Sequence, residues 1–222
     1  RMTGVFNSIA IFSRLHRREI ATYTRRLLSH DSLTRQQLDL YVQRRRQSLL
    51  FFALHCTELL QEWQRTHFEA ARFCGDEDWQ SLPTSGAQPW PPAFNTVTEL
   101  ANVGRVLTWW RGEDARRSQP RLRLVTEPSV LAASPPENSL EVLCLSDHSQ
   151  RILAAPCREG KHYHALTDVA VFDDMPALTG TLVTNLDERD VTRLRIRQPL
   201  AYHLQLSDIP CACGRPFPTL EL

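Results

Sequence analysis

The chain has 222 residues and a mass of 25.5 kDa, enough for one ample domain or for a domain with a helical annex. Hydrophobic residues make up 42% and charged residues 23%, a balance that excludes wholesale disorder. The longest stretches without charge or proline, residues 2–13 and 47–57, are far shorter than the ~18 residues of a membrane span, and we expect no apolar leader peptide. Six cysteines are too few for a disulfide scaffold. We therefore expect a cytoplasmic protein with no membrane segment.

Charge is distributed unevenly along the chain. The net charge is +1, yet residues 1–73 hold 12 arginines against six acids, and Lys161 is the single lysine among 26 basic residues. An arginine-rich surface can bind phosphate backbones, but acids are interspersed here and no nucleic-acid motif accompanies the charge. A solvated helix face explains the arginines better, so we do not expect nucleic acid as a partner.

Residues 1–74 are predicted to be helical. From Ser32, the predicted N-cap, apolar residues recur at steps of three, four and seven, which places them on one helix face. These residues are Leu38, Val42, Leu49, Ala53, Cys56, Leu60 and Trp63. Arg44, Arg45 and Arg46 fall mostly on the opposite face. No proline or glycine interrupts residues 34–73, and a shorter helix is expected over residues 9–28.

Residues 75–120 are predicted to be a proline-rich linker with a short helix. Four prolines and two glycines lie within residues 75–95, a composition typical of a linker or long loop. Residues 96–111, which carry Trp109 and Trp110, fit one more helix.

Residues 121–222 are predicted to be a β-rich region. From residue 140 onward it consists of short β-like runs separated by glycines, prolines and Asp-rich turns, a pattern that predicts antiparallel hairpins. The predicted strands cover residues 122–125, 140–145, 151–155, 168–172, 181–185, 192–196 and 200–206. Helices first and strands second is the order of an α+β fold, here with a small and mostly antiparallel β region.

Two common kinds of catalytic site are absent from the sequence. The eight glycines are isolated from one another. Neither of the glycine-rich phosphate-binding motifs, G-x-G-x-x-G and G-x-x-x-x-G-K-[ST], is therefore present in the sequence. Asp147, His148 and Ser149 supply the residue types of a hydrolase triad. Neighbours on a strand point to opposite faces, however, so we do not expect these three to act together.

Cysteine and histidine form the informative cluster. Cys211 and Cys213 make a C-x-C pair on a Pro-Cys-Ala-Cys-Gly turn, and Cys157 is followed by His162 and His164. Three thiolates and one imidazole form a Cys₃His set, which suits tetrahedral zinc. A C-x-C pair is less diagnostic than paired C-x-x-C motifs, so buried free thiols beside surface histidines are the alternative.

Four segments around these residues follow a recognisable order. They are residues 152–160 (ILAAPCREG), 164–168 (HALTD), 182–186 (LVTNL) and 211–217 (CACGRPF). Their order resembles the phenylacetate–CoA ligase-like branch of the adenylate-forming (AMP-binding) enzymes. In that branch a Tyr-x-x-Thr-Glu motif precedes a Cys…Gly…His-x-x-Glu-Asp loop, a "vvTnL…qPlirYrlgD" stretch and a final Cys-Pro-Cys-Gly. The helical start, which reads LTRQQL from Leu33, is similar to the family's opening.

The resemblance implies a structural zinc site at Cys157, His164, Cys211 and Cys213. His164 is preferred to His162 because the Ala-Leu-Thr-Asp that follows it aligns with the segment after the family's histidine. A Cys₃His site is full with four ligands and leaves no position for a reactive water, so the metal would hold structure.

The resemblance also implies a degenerate catalytic apparatus. The family's Thr-Glu pair falls on Ser149 and Gln150, so an amide stands where the family binds magnesium through a carboxylate. Asp208 is the candidate ribose contact only after a one-residue shift of register. The family's phosphate loop, Rossmann-like body and C-terminal subdomain have no counterpart in this sequence. A truncated, non-catalytic relative is therefore expected.

Two functions fit these observations. In the first, the chain is a structural or partner-binding subunit in a bacterial biosynthetic pathway. In the second, it is a shortened or split ligase that activates an aromatic or fatty acid with ATP and magnesium. The apolar stripe of the long helix must be buried, so the first function implies self-association or docking on a protein partner through the N-terminal helices. Leu49, Phe52 and Trp63 are expected to lie at or near this contact.

Overall fold

The structure, a computed structural model, combines helices with two β-sheets. It describes residues 29–55, 57–65, 76–84, 107, 121–131, 139–144, 152–157, 159, 162–175, 180–186 and 196–221. Within these ranges helices α1 (Arg35–His55) and α2 (Thr57–Arg65) precede all the strands. The strands are β1 (Arg121–Val125), β2 (Ser139–Cys144), β3 (Ile152–Pro156), β4 (Tyr163–Ala165), β5 (Ala170–Met175), β6 (Gly180–Asn185), β7 (Gln198–Pro199), β8 (Gln205–Ser207) and β9 (Thr219–Glu221). The α+β fold is confirmed.

Helix α1 begins with a capping box at Thr34. The Thr34 hydroxyl accepts a hydrogen bond from the backbone N–H of Gln37 at 3.2 Å, and the Gln37 side chain accepts one from the N–H of Thr34 at 2.8 Å. The predicted N-cap, Ser32, is therefore wrong by two residues. Its hydroxyl donates instead to the Ser29 carbonyl, because a glutamine three positions later is available to Thr34 and not to Ser32.

Most of the described residues of the apolar stripe are buried, whereas Val42 and Leu60 are half-buried and Cys56 lies outside the described residues. Leu38, Ala53 and Trp63 have no exposed surface, and Leu49 is 8% exposed. The stripe is carried by α1 and α2 as two assigned helices, and residues 66–73 of the predicted long helix lie outside the described residues.

Two of the three central arginines do not lie on the outer face. Arg44 is exposed, whereas Arg45 and Arg46 are half-buried. Arg45 donates a hydrogen bond to the Leu186 carbonyl, and the Arg46 guanidinium lies 4.3 Å from the centre of the Trp79 ring. Arg46 follows Val42 by four residues and therefore shares its helix face, where stacking on an aromatic ring compensates for partial burial of its charge.

The strands form one sheet of six and one of three. The larger sheet has the order β1-β2-β3-β4-β9-β8 and the smaller one the order β5-β6-β7. Neighbours pair antiparallel as predicted, except that β1 and β2 are parallel. The prediction of hairpins concerns the strands from residue 140 onward, so the parallel pairing of β1 lies outside it. Thirteen residues separate the two strands, enough for the crossover that a parallel pair requires.

The strand predictions differ from the structure in the C-terminal third. The strand predicted at 168–172 starts later, as β5, because Asp168 lies in a turn in which the Ala170 N–H donates to the Leu166 carbonyl. Of the strand predicted at 200–206, only the end is in a strand, which is β8. The strand before it, β7, ends at Pro199 and belongs to the other sheet. Strands β4 and β9 have three residues each and were not predicted. The strand predicted at 192–196 lies outside the described residues apart from Ile196.

Helix α1 covers parts of both sheets. Its N-terminal half packs in a cluster that contains Leu38, Leu140, Val142, Ile152, Leu166 and Phe217. Its C-terminal half packs in a second cluster with Trp63, Trp79, Val171, Leu186 and Ile196. A third cluster joins the sheets through Leu143, Leu153, Tyr163, Val183 and Leu220. Part of the predicted linker therefore contributes to the core, because Trp79 and Leu82 are buried there at the 3₁₀ helix Asp76–Ser81.

The predicted contact residues of α1 and α2 have different environments. Leu49 and Trp63 are buried against this chain's own side chains. Phe52 is 45% exposed and its neighbour Phe51 is 60% exposed. The predicted helices at 9–28 and 96–111 lie outside the described residues, except for Leu107. None of the described helices is long and apolar enough to cross a membrane.

Candidate metal centre

Strand β4 places His164 inside the larger sheet. β4 lies between β3 and β9, with His164 opposite Ala155 on one side and Thr219 on the other. The side chain of His164 is fully buried. Cys157 follows β3, and its N–H donates to the carbonyl of His162 at 2.8 Å, which closes the β3–β4 loop. This loop brings the first cysteine and the histidine to the same end of two paired strands.

A tight turn presents the other two cysteines. The Gly214 N–H donates to the Cys211 carbonyl at 3.0 Å, and Gly214 has a φ of +79°, a conformation that side-chain-bearing residues rarely adopt. No atom lies within 4 Å of where a Cβ would stand on Gly214, so the backbone conformation and not space favours glycine there. The turn holds the sulfur atoms of Cys211 and Cys213 toward β4.

The four predicted ligands converge. One ligand atom from each of Cys157, His164, Cys211 and Cys213 lies within 4.8 Å of all the others. The sulfur atoms of Cys157 and Cys211 are 3.6 Å apart, and Nε2 of His164 is 3.2 Å from the sulfur of Cys213. Tetrahedral zinc with bonds of ~2.3 Å to sulfur requires ligand atoms about 3.8 Å apart. The separations fit, and this group could hold a metal ion such as zinc.

A backbone hydrogen bond orients the His164 ring. Its Nδ1 lies 2.9 Å from the Phe217 carbonyl oxygen, which can only accept, so Nδ1 carries the proton and the lone pair is on Nε2. Nε2 is the atom that faces Cys213. The pKa of His164 is lowered to about 4, chiefly by burial and in smaller part by the neighbouring charges of His162 and Arg215. His164 is therefore neutral near pH 7, the form that binds a metal.

The sulfur atoms receive backbone hydrogen bonds. The N–H of Glu159 donates to the sulfur of Cys157 at 3.3 Å, and the N–H of Cys213 donates to the sulfur of Cys211 at 3.4 Å. Such bonds favour the thiolate. Burial nevertheless raises the pKa of Cys157 to about 12 and also raises that of Cys213. Crowded, buried thiols do not ionise together unless a cation compensates their charge, so binding a metal here must displace protons.

His162 lies beside the four-residue group. Its Nε2 is 2.9 Å from the sulfur of Cys211, and its ring packs edge-on against His164 with centroids 5.5 Å apart. With Cys211 as a thiolate, which can only accept, His162 is the donor. The position suits a hydrogen bond to a metal-bound sulfur.

The residues after the cysteine turn attach it to the start of helix α1. Nε of Arg215 is 2.5 Å from a carboxylate oxygen of Asp31, and Arg35 donates to the Pro216 carbonyl at 3.4 Å. Phe217 shares a hydrophobic cluster with Leu38 of α1. The four-residue group therefore lies where the larger sheet, the C-terminal turn and the first helical turn meet.

The residues that the resemblance assigns to nucleotide binding are not part of this group. The side chain of Asp208 is 82% exposed, and it accepts a hydrogen bond from Arg35 at 2.7 Å. Ser149 and Gln150 lie outside the described residues, as does Lys161.

Two buried polar contacts were missed in the sequence. His30 and Asp168 form a buried pair with Nδ1 and Oδ2 2.8 Å apart. Arg197, at a positive φ of 52°, donates through its guanidinium to the carbonyls of Trp79, Gln80 and Leu82. Each contact joins residues more than 100 positions apart, so the local sequence pattern could not indicate it. Both contacts connect distant parts of the chain.

No protein-family model matches the chain, and no curated protein matches it significantly.

Proposed function

We propose that this chain is a non-catalytic relative of phenylacetate–CoA ligase-like enzymes, built around a structural zinc ion, which acts as a structural or partner-binding subunit in a bacterial biosynthetic pathway. The observation that carries the proposal is the convergence of Cys157, His164, Cys211 and Cys213, whose ligand atoms all lie within 4.8 Å. These are the residues that the motif order assigns to zinc.

The chemistry of the donor set supports zinc over other metals. Three thiolates and one imidazole are soft and borderline ligands, which suit zinc and not magnesium or calcium. Four protein ligands complete a tetrahedral shell, so the ion would stabilise the fold and would activate no water. Cys157 and His164 would bind it from the β3–β4 loop, and Cys211 and Cys213 from the C-terminal turn.

Three features support a chain that does not itself adenylate. The sequence contains no glycine-rich phosphate loop, and Gln150 stands in place of the magnesium-binding carboxylate. Asp208, the candidate ribose contact, is instead engaged by Arg35 on the surface. Adenylation needs residues that bind the phosphates of ATP and a carboxylate that binds magnesium. The motif positions of this sequence supply neither.

Metal content tests the zinc assignment. Protein purified without chelator should contain about one zinc ion per chain by elemental mass spectrometry, since four ligands define a single site. Cys211→Ser should lose most of it. Cys144→Ser is the matched control, because Cys144 is a buried cysteine in β2 and is not one of the four. A zinc content below about 0.2 equivalents in the unaltered protein would refute the site.

Pyrophosphate exchange tests the function. The zinc-loaded chain should show no exchange with ATP, magnesium and a panel of aryl and fatty acids, beyond a heat-treated sample. Titration calorimetry should likewise detect no binding of ATP with magnesium. Acid-dependent exchange would favour the alternative, a shortened or split ligase that activates an aromatic or fatty acid.

A partner contact through the N-terminal helices is part of the same proposal. Its support is the exposure of Phe51 and Phe52 on helix α1, where their rings pack edge-on with centroids 6.0 Å apart. Light scattering at rising protein concentration measures self-association, and Phe51→Ser with Phe52→Ser should abolish it. If the protein is strictly monomeric, self-association is wrong and the contact could only be with a different protein.

A further inference from the structure

The sulfur atoms of the metal centre can undergo a second kind of chemistry. Those of Cys157 and Cys211 are 3.6 Å apart, and a disulfide bond requires about 2.05 Å. Both cysteines lie in connecting segments, Cys157 directly after β3 and Cys211 in the C-terminal turn. A modest approach of the two segments would therefore bring the sulfur atoms to bonding distance.

We propose that the centre is also a redox switch, in which a peroxide joins Cys157 to Cys211 in a disulfide and thereby releases the zinc ion. The inference rests on the proposed zinc site and adds a form of regulation to it. It follows from the arrangement of the three sulfur atoms. Those of Cys157 and Cys211 can form a disulfide bond more readily than that of Cys213 can with Cys211.

The reaction balances with a peroxide as the oxidant. The Cys211 thiolate attacks hydrogen peroxide and breaks the O–O bond, giving a sulfenic acid at Cys211 and hydroxide. The Cys157 thiolate then attacks the Cys211 sulfur, the S–O bond breaks, and a second hydroxide leaves. The two sulfur atoms supply the two electrons that reduce the peroxide, and zinc stays divalent throughout.

Accessibility selects the cysteine that reacts first. Cys211 is partly exposed, whereas Cys157 has no exposed surface. A metal-bound cysteine is already deprotonated, so Cys211 presents a thiolate to an oxidant from solvent. Cys157 is protected from the oxidant but lies within reach of the oxidised sulfur.

The position of Cys213 makes it the weaker partner for Cys211. Its sulfur faces Nε2 of His164 at 3.2 Å, and its N–H is held by the sulfur of Cys211 in the same tight turn. Closing a bond between the two would require this turn to change. Closing Cys157 to Cys211 leaves the turn as it is.

The oxidised protein should stay folded. The disulfide would connect the same two segments that the metal connects, across the same separation of 54 positions. Oxidation would thus exchange one cross-link for another, while His164 and Cys213 lose two of their co-ligands. Zinc would leave because two remaining ligands hold it far more weakly than four.

Peroxide titration of the zinc-loaded protein tests the switch. A chromogenic chelator measures the released zinc, and mass spectrometry of alkylated, non-reduced peptides identifies the disulfide. We expect one zinc ion released for each Cys157–Cys211 disulfide, unchanged circular dichroism, and full recovery of bound zinc after dithiothreitol and zinc are added. Cys144→Ala, the control, should release zinc at the same rate.

The outcomes separate this inference from the proposed function. Protein that never binds zinc overturns both. Zinc that binds but resists peroxide overturns the switch alone. So does zinc lost with a Cys211–Cys213 disulfide, or with an irreversible sulfinic acid at Cys211.

Discussion

His162 and His164 are two residues apart, yet their environments assign them different roles. His164 is fully buried, with Nδ1 fixed by the Phe217 carbonyl and Nε2 facing Cys213. His162 is half-buried, and its Nε2 faces the sulfur of Cys211. One imidazole is therefore oriented as a ligand and the other as a hydrogen-bond donor to a ligand.

Alanine substitution of each histidine should separate these roles. His164→Ala removes one of four ligands, and zinc content after loading should fall below about 0.2 equivalents. His162→Ala removes only a hydrogen bond to a ligand sulfur, and content should stay near one, with affinity lowered about 10- to 100-fold. Elemental analysis and competition with a chelator measure both, on samples shown to be folded by circular dichroism. Equal loss in the two variants would contradict the assignment.

The depressed pKa of His164 predicts how the stability of the metal-free protein depends on pH. In the unfolded chain a histidine titrates near 6.5, whereas burial lowers the pKa of His164 in the folded chain to about 4. Between these values the unfolded chain binds a proton that the folded chain excludes. The contribution of neutral His164 is thus complete above about pH 6.5 and is lost as the pH falls to about 4, by about 3 kcal/mol.

Urea unfolding of the chelator-treated protein across this range measures the effect. His164→Gln is the reference, because glutamine does not titrate and other acid-sensitive groups are common to both proteins. We expect the free energy of unfolding of the unaltered protein to fall faster than that of the variant as the pH drops. Parallel curves would show that His164 is not buried in its neutral form.

Residue type and the family resemblance together predicted the ligand set, but not the contacts around it. Cys157, Cys211 and Cys213 are identified by their chemistry and by the turn residues beside them. The link from His164 to the Phe217 carbonyl spans 53 positions and exists only because β9 pairs with β4. Long-range backbone pairing leaves no trace in local spacing, which is why the orientation of the ring could not be predicted.

At the scale of elements, helix periodicity was the most reliable guide. Leu38, Ala53 and Trp63 are fully buried on one face of α1 and α2, because their spacing matches the helical repeat of about 3.6 residues. Strands of two or three residues carry no comparable pattern. β4 and β9 were missed for this reason, although β4 holds His164.

Trp63 and Phe52 form a matched pair for testing the burial of this stripe. Trp63 has no exposed surface and packs in the cluster with Trp79, so Trp63→Ala should destabilise the protein by about 3–5 kcal/mol. Phe52 is 45% exposed, and Phe52→Ala should cost about 1 kcal/mol or less. Urea denaturation monitored by circular dichroism measures both changes. Similar losses would contradict the burial of Trp63 within the chain.

At the scale of the whole molecule, the order of the strands depends on long-range contacts. β9 enters the larger sheet between β4 and β8, and β1 joins it by a parallel crossover. A prediction of hairpins pairs strands that are consecutive in the sequence and therefore could not predict either arrangement. The candidate metal centre therefore combines the β3–β4 loop with the turn between β8 and β9, 54 positions later, so a metal ion bound there would add to the cross-link that the sheet makes.

Removal of zinc should therefore weaken one part of the molecule more than the rest. The ion would cross-link positions 54 residues apart, which in the chain-entropy treatment used for disulfides is worth about 4 kcal/mol. Its loss frees the C-terminal turn, which contacts Asp31 and Arg35 at the start of helix α1.

Hydrogen exchange with and without a chelator resolves where stability is lost. Amides of β4, β9 and the first turn of α1 should exchange faster in the metal-free protein, whereas β5 and β6 of the smaller sheet should change least. Thermal unfolding of the same samples should show a lower midpoint, restored by one equivalent of zinc. A uniform increase in exchange across both sheets would mean that the ion supports the fold as a whole. No increase would mean that the sheet alone holds the two halves of the centre together.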